Sequence, residues 1–132
     1  MGLIGTNKTP LTRAAQLGRL AEVQAALDGG AGVDDKDGDG FPALVLAARY
    51  GHLDVVDLLL ARGADVNVQQ PFGKTALIDA SENGHVAIVK RLLAAGADPA
   101  PRSKGSTTAL HIARVRGHAD IVALLEQAGA TA

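Results

Sequence analysis

Three stretches of this chain carry residue types that could do chemistry. Asp35-Lys36-Asp37-Gly38-Asp39-Gly40 fills positions one, three, five and six of a calcium-loop pattern, in which alternating carboxylates converge on a cation. The twelfth position should supply a bidentate Glu, but it is Leu46, so only a weak, partial cation site is expected, and an acidic turn tip is the simpler reading. Gly73-Lys74-Thr75 before an apolar segment has the ending of a phosphate loop, yet the Gly required five residues earlier is Val68. No cradle of backbone amides is implied, and no nucleotide is expected. His52, His85 and His118 recur at one interval; on stacked units they would stand about 10 Å apart, too far to share a metal. They and His111 read as structural. No nucleophile-elbow sequence accompanies Ser81, which falls within a helix at a position filled elsewhere by Ala. Asp79 and Glu82, three apart, have the spacing of a solvated helix face. No catalytic constellation, cofactor or metal is expected, and the chain does not read as an enzyme.

The elements that would position these residues repeat. Gly18, Gly51, Gly84 and Gly117 are spaced 33 residues apart, each preceded by Leu11, Leu44, Leu77 or Leu110 and followed by Ala31, Ala64, Ala97 or Ala130. A constant period of this length means one unit stacked on itself, with function spread over a shared surface. Each unit reads as a short apolar helix, a Gly break, and a second helix such as Leu53 to Leu60, with Val56, Leu59 and Leu60 at helical spacing. A Gly such as Gly63 ends the second helix, and a turn-rich, hairpin-like projection follows. The units are placed at about 9–34, 42–67, 75–100 and 108–132, after an extension over 1–8.

Thr108-Ala109-Leu110-His111, the Gly-His pairs Gly51-His52, Gly84-His85 and Gly117-His118, and Gly63-Ala64-Asp65-Val66-Asn67 resemble the ankyrin repeat over roughly residues 5–132. The resemblance implies an all-α solenoid of four helix-turn-helix units joined by β-hairpin-like loops, and a protein-binding role. Pro42 stands where the family has Thr, and Thr12, Val45 and Ile78 where it has His. That implies side-chain bonds to the turn only from His111, with looser hairpins in the first three units. Ser106 stands where Gly is usual, with Gly105 beside it to take over the turn.

Composition agrees with a single stacked domain: 47% of residues are hydrophobic but only 2% aromatic. Small pairs such as Ala14-Ala15 and Ala47-Ala48 would let helices approach closely. There is no cysteine, no apolar run of membrane-spanning length and no apolar leader in Met1 to Pro10. Gly2 and Thr6 match a myristoylation pattern too permissive to carry weight. Arg114, Glu126 and Gln127 replace small or apolar residues of other units, and Arg13, Glu22 and Gln24 dilute the first unit, so both ends read as caps of a complete array. A cytoplasmic monomer is expected, or a periplasmic one had a leader been removed. Ala- and Gly-rich, Lys-poor usage fits a GC-rich bacterial genome.

What remains is surface. The resemblance places partner contacts at the hairpin tips and the end of each first helix, where the chain's three aromatic residues, Phe41, Tyr50 and Phe72, fall. Leaving such a ring in water forfeits roughly 1.5–3 kcal/mol, which marks the three as contact anchors. Residues 1–66 carry six basic and nine acidic side chains, a balance of −3; residues 67–132 carry seven and five, a balance of +2. Asp34, Asp35, Asp37 and Asp39 gather at the first tip and Lys74, Arg102, Lys104 and Arg116 at later ones, predicting a strip that runs from acidic through aromatic to basic. The expected contact set is Asp37, Asp39, Phe41, Arg49, Tyr50, Phe72, Lys74, Glu82, Asn83, Lys104, Val115 and Arg116. The expected function is binding of another protein, by inhibition or escort, and not nucleic acid, given a net charge of −1. A weak calcium- or ligand-binding protein and an idealised array with no dedicated partner are the alternatives. The irregular residues Pro42, Pro71 and Pro101 argue against the second.

Overall fold

The structure, a computed structural model, describes residues 7–100 and 107–130. Eight α-helices follow one another in pairs among these residues: α1 (Pro10–Leu17), α2 (Leu20–Asp28), α3 (Ala43–Arg49), α4 (Leu53–Ala61), α5 (Ala76–Glu82), α6 (Val86–Ala94), α7 (Ala109–Val115) and α8 (Ala119–Gln127). α1, α3, α5 and α7 lie side by side in one layer, and α2, α4, α6 and α8 form a second layer behind them. The result is a helical solenoid.

Small residues set the spacing of the front layer. Ala14, Ala15, Ala47, Ala48, Ala80 and Ala113 are all buried between neighbouring helices. Leu11, Leu44, Leu77 and Leu110 form one fully covered row, Leu59, Leu92 and Leu125 another, and Val55, Ile88 and Ile121 a third. Burying each such side chain contributes about 1.5–3 kcal/mol. Because each row takes at most one residue from a pair, no pair has a complete core by itself.

The front helices start on threonine. Thr9, Thr75 and Thr108 each accept at the side-chain oxygen from the backbone N–H three residues on, at Thr12, Ile78 and His111. His111 therefore enters through its main chain, while its side chain is exposed. The turn that the His111 side chain is expected to tie lies outside the described residues. A threonine cap needs only an N–H at the third position, whatever the side chain there, and only the front helix that starts on Pro42 has no side-chain acceptor for it.

Consecutive pairs are tied by histidine. His52 Nε2–H donates to the Gln16 carbonyl (2.9 Å), His85 to that of Arg49 (3.0 Å) and His118 to that of Glu82 (3.0 Å), since a carbonyl can only accept. Each imidazole lies over the Gly that closes the preceding front helix. At Gly51, where φ is 82°, a β-carbon would stand 2.9 Å from the His85 ring. Glycine is required there both by the left-handed backbone and by the close approach.

Two hairpin tips are described. Asp37 N–H donates to Phe41 O (3.0 Å), and 33 residues on Gln70 N–H donates to Lys74 O (2.8 Å), each beside one antiparallel bridge. The expected turn role of Gly105 and Ser106, the basic residue Arg102 and the expected contact Lys104 lie outside the described residues. Arg114 forms an ion pair with Glu126 at 3.0 Å on the outer side of α7 and α8.

Candidate protein-binding surface

The front edge of the solenoid carries one unbroken chain of polar contacts that crosses all four helix pairs. It begins in the first tip. Asp37 folds inward, with Oδ1 accepting from the N–H groups of Asp39 (2.9 Å) and Phe41 (3.0 Å) and Oδ2 from Lys8 Nζ (2.7 Å). Burial opposes ionisation of this carboxyl, but the Lys8 hydrogen bond, the two amides and the Lys8 charge outweigh it and hold it below its ordinary value. Asp37 is therefore a turn-building residue with a buried carboxylate, which corrects its expected place among the contacts.

Phe41 comes next, and here the sequence-based expectation of three water-facing rings is also corrected. Its ring is half-buried against the core, with the Lys8 ammonium 5.2 Å and the Arg49 guanidinium 4.9 Å from its centre. A cation on an aromatic face is favourable, and two of them hold the ring down. Arg49 passes the chain onward: Nη2 donates to Gln70 Oε1 (2.7 Å) and to Asp79 Oδ2 (3.3 Å).

Asp79 is the hub, and it is 1% exposed, not on a solvated face as its spacing from Glu82 had implied. Gln70 Nε2 donates to its Oδ2 (2.5 Å), and Lys74 Nζ lies 3.3 Å from its Oδ1. Lys74 also meets Glu82 Oε1 (3.2 Å), and Glu82 Oε2 receives Arg116 Nη2 (2.8 Å). The main chain is held as well, with Asn83 Nδ2 donating to Asp79 O (2.8 Å). A buried carboxylate is tolerable only with such partners.

Of the remaining expected contacts, Asp39, Tyr50, Phe72, Asn83 and Val115 are exposed. Asp39 accepts from Asn7 Nδ2 at 3.0 Å. Tyr50 is 50% exposed at the end of α3, directly after Arg49. Phe72 is 72% exposed and sits in the second tip between the network residues Gln70 and Lys74. Its backbone is left-handed, with φ 67° and ψ 15°. It is the one non-glycine residue of positive φ among the described residues.

Sequence reasoning missed Lys8, Gln70 and Asp79. A signal was present for Asp79, because its repeat position is filled by the buried Leu46 in the preceding unit. It also missed exposed Leu17, Leu20 and Leu53. Leu17 shares the repeat position of Tyr50, and Leu20 that of Leu53, so these four place apolar surface at the turn end of the first two pairs.

The three acids of the first tip diverge. Asp35 Oδ2 accepts from Gly32 N–H (2.8 Å), Asp37 turns to Lys8, and Asp39 turns to Asn7. Among the described residues no three His, Cys, Asp or Glu side chains gather to hold a metal ion. Nor is any described helix long and apolar enough to cross a membrane. A family model for ankyrin repeats (three copies) matches residues 3–70 and 62–131. A comparison with curated proteins returns no match.

Proposed function

The chain belongs to the ankyrin-repeat family, whose members generally bind other proteins, and on that footing we propose that it recognises one protein partner along its front edge, without chemistry of its own. The observation that carries this reading is the pairing of two exposed rings, Tyr50 and Phe72, with a polar network that fixes their surroundings. Phe72 stands between two side chains bound to a buried carboxylate, so its tip is held before a partner arrives. Rigid presentation limits the ordering entropy lost on association. Aromatic anchors set among neutral or charged neighbours are the usual source of interface energy.

The mechanism is occupation of a surface. A partner seated on the tips and first-helix ends would be blocked, stored or escorted according to which of its own faces is covered. The solenoid would act as a monomer, and its net charge of −1 disfavours nucleic acid.

Affinity capture from the source cell, read by mass spectrometry, would identify the partner. Binding of that partner should then weaken by at least about 2 kcal/mol in Tyr50→Ala and in Phe72→Ala, with unchanged folding. Equal affinity for the wild type and the double variant would remove the front edge from the interface.

A further inference from the structure

The ion pairs among the described residues differ in which partner lies on top. On the front edge the base is the more exposed member in every described pair. Asp37 beneath Lys8 is 0% exposed at the side chain, and Asp79 beneath Arg49 and Lys74 is 1%. Glu82 is 24% exposed beneath Lys74 at 32% and Arg116 at 53%. On the remaining surface the order reverses in two pairs, with Asp28 more exposed than Arg62 and Asp57 than Arg91, and both members stand out about equally in Glu126–Arg114 and Glu22–Arg19.

We infer that the front edge is a receptor for a carboxylate-bearing protein segment, with Arg49, Lys74 and Arg116 as its charge contacts. The inference rests on the protein-binding reading above and adds the chemistry of the partner. The buried acids do two things. They hold the cations in place from below, which removes much of the rotamer entropy that a long basic side chain loses on pairing. They also leave donors over: among the described residues Arg116 uses Nη2 toward Glu82, and Arg49 uses Nη2 toward Gln70 and Asp79. A guanidinium held by one nitrogen retains other N–H groups for an incoming carboxylate. Beside these cations lie the exposed rings of Tyr50 and Phe72, so the fitting segment carries apolar side chains among its acids. A continuous polyanion fits less well, because exposed Asp35 and Asp39 stand at the first tip and would repel it.

The test uses the full chain and three labelled probes: a peptide repeating Glu-Glu-Leu, the same peptide with Lys for Glu, and an oligothymidylate of equal length. Fluorescence polarisation should show the Glu peptide binding at least about tenfold more tightly than either other probe, with affinity that falls as salt rises. Arg116→Glu, at an exposed site, should weaken the Glu peptide about fivefold, whereas Arg62→Glu on the opposite layer should change it less than about twofold. Circular dichroism of both variants checks that the helices persist, and chemical-shift mapping of the wild type provides a readout independent of substitution. Absence of binding by the Glu peptide, equal binding of the Lys peptide or the oligonucleotide, or shifts confined to α2, α4, α6 and α8 would overturn the inference. If a captured partner still depends on Tyr50 and Phe72 while these charge tests fail, the protein-binding role stands and only the partner chemistry falls.

Discussion

Phe72 offers a direct test of the link between backbone strain and binding. The turn Gln70–Gly73 is closed by Gly73 N–H donating to Gln70 O at 3.1 Å, with Pro71 and Phe72 at its centre. At φ 67° and ψ 15°, Phe72 occupies the position that a type II turn reserves for Gly or Asn. A left-handed conformation costs a residue with a β-carbon about 1–2 kcal/mol. Replacing Phe72 by Ala and by Gly removes the same ring in both cases, so the difference between the two variants isolates the backbone. Glycine gains the strain relief but loses about 0.4–1 kcal/mol through the greater entropy of its unfolded chain. The glycine variant should therefore be more stable than the alanine variant by about 0.5–1 kcal/mol. That order is opposite to the one found at ordinary positions. Urea denaturation of the pair, followed by circular dichroism, measures it as a shift in midpoint at constant slope. Both variants should lose about 2 kcal/mol of partner affinity, because the exposed ring is gone from each. An alanine variant as stable as the glycine variant, or more so, would refute the strain argument. Unchanged binding in both would refute the anchor.

Other substitutions address the interior of the site. Asp79→Ala leaves Arg49, Gln70 and Lys74 without their shared acceptor and should cost about 2–3 kcal/mol. Asp79→Leu, which restores the residue type of Leu46, should cost less, and thermal melts rank the two. Ser81 Oγ is buried with no hydrogen-bond partner, where Ala15 and Ala48 stand in earlier units, so Ser81→Ala should stabilise the fold by about 1 kcal/mol in denaturant titration. Asp37 is more acidic folded than unfolded, so its contribution is complete above about pH 4 and disappears as pH falls through the folded value. Asp37→Asn should be less stable than the wild type at pH 7 and show a flatter stability profile below about pH 4. Gly51→Ala sets a β-carbon against the His85 ring in a left-handed backbone and should lower stability by about 2 kcal/mol or more, read from the same melts.

The stacking and the helix pairs were legible because their signal is periodic. Leu11, Leu44, Leu77 and Leu110 announce a buried row, and the Gly-His spacing announces a fixed junction, with no need to know where any side chain points. The binding edge was legible only in part. Phe72 and Tyr50 are exposed as their positions implied, whereas Phe41 is drawn down by two cations that come from Lys8, ahead of the first unit, and Arg49 in the second. No local pattern reports such a meeting. Asp37 and Asp79 were misplaced for the same reason: the partners that bury them, Lys8 and Arg49, lie 29 and 30 residues away in the chain. The threonine caps were underestimated because the contact runs to a backbone N–H, which every residue but proline provides.

Asp79 has a further consequence for how such an array assembles. Four modules so alike could in principle be shuffled, each docking on the wrong neighbour while the chain folds. The third module, however, carries an acid that requires the guanidinium of Arg49, and the corresponding residue is Gln16 in the first module, Glu82 in the third and Val115 in the fourth. Docked on a first or fourth module, the acid would lose its guanidinium and keep only the neighbouring Lys74, and docked on another third module it would confront a second carboxylate. One charged side chain thus gives the middle of the array an address, so that otherwise interchangeable parts can join there in a single order.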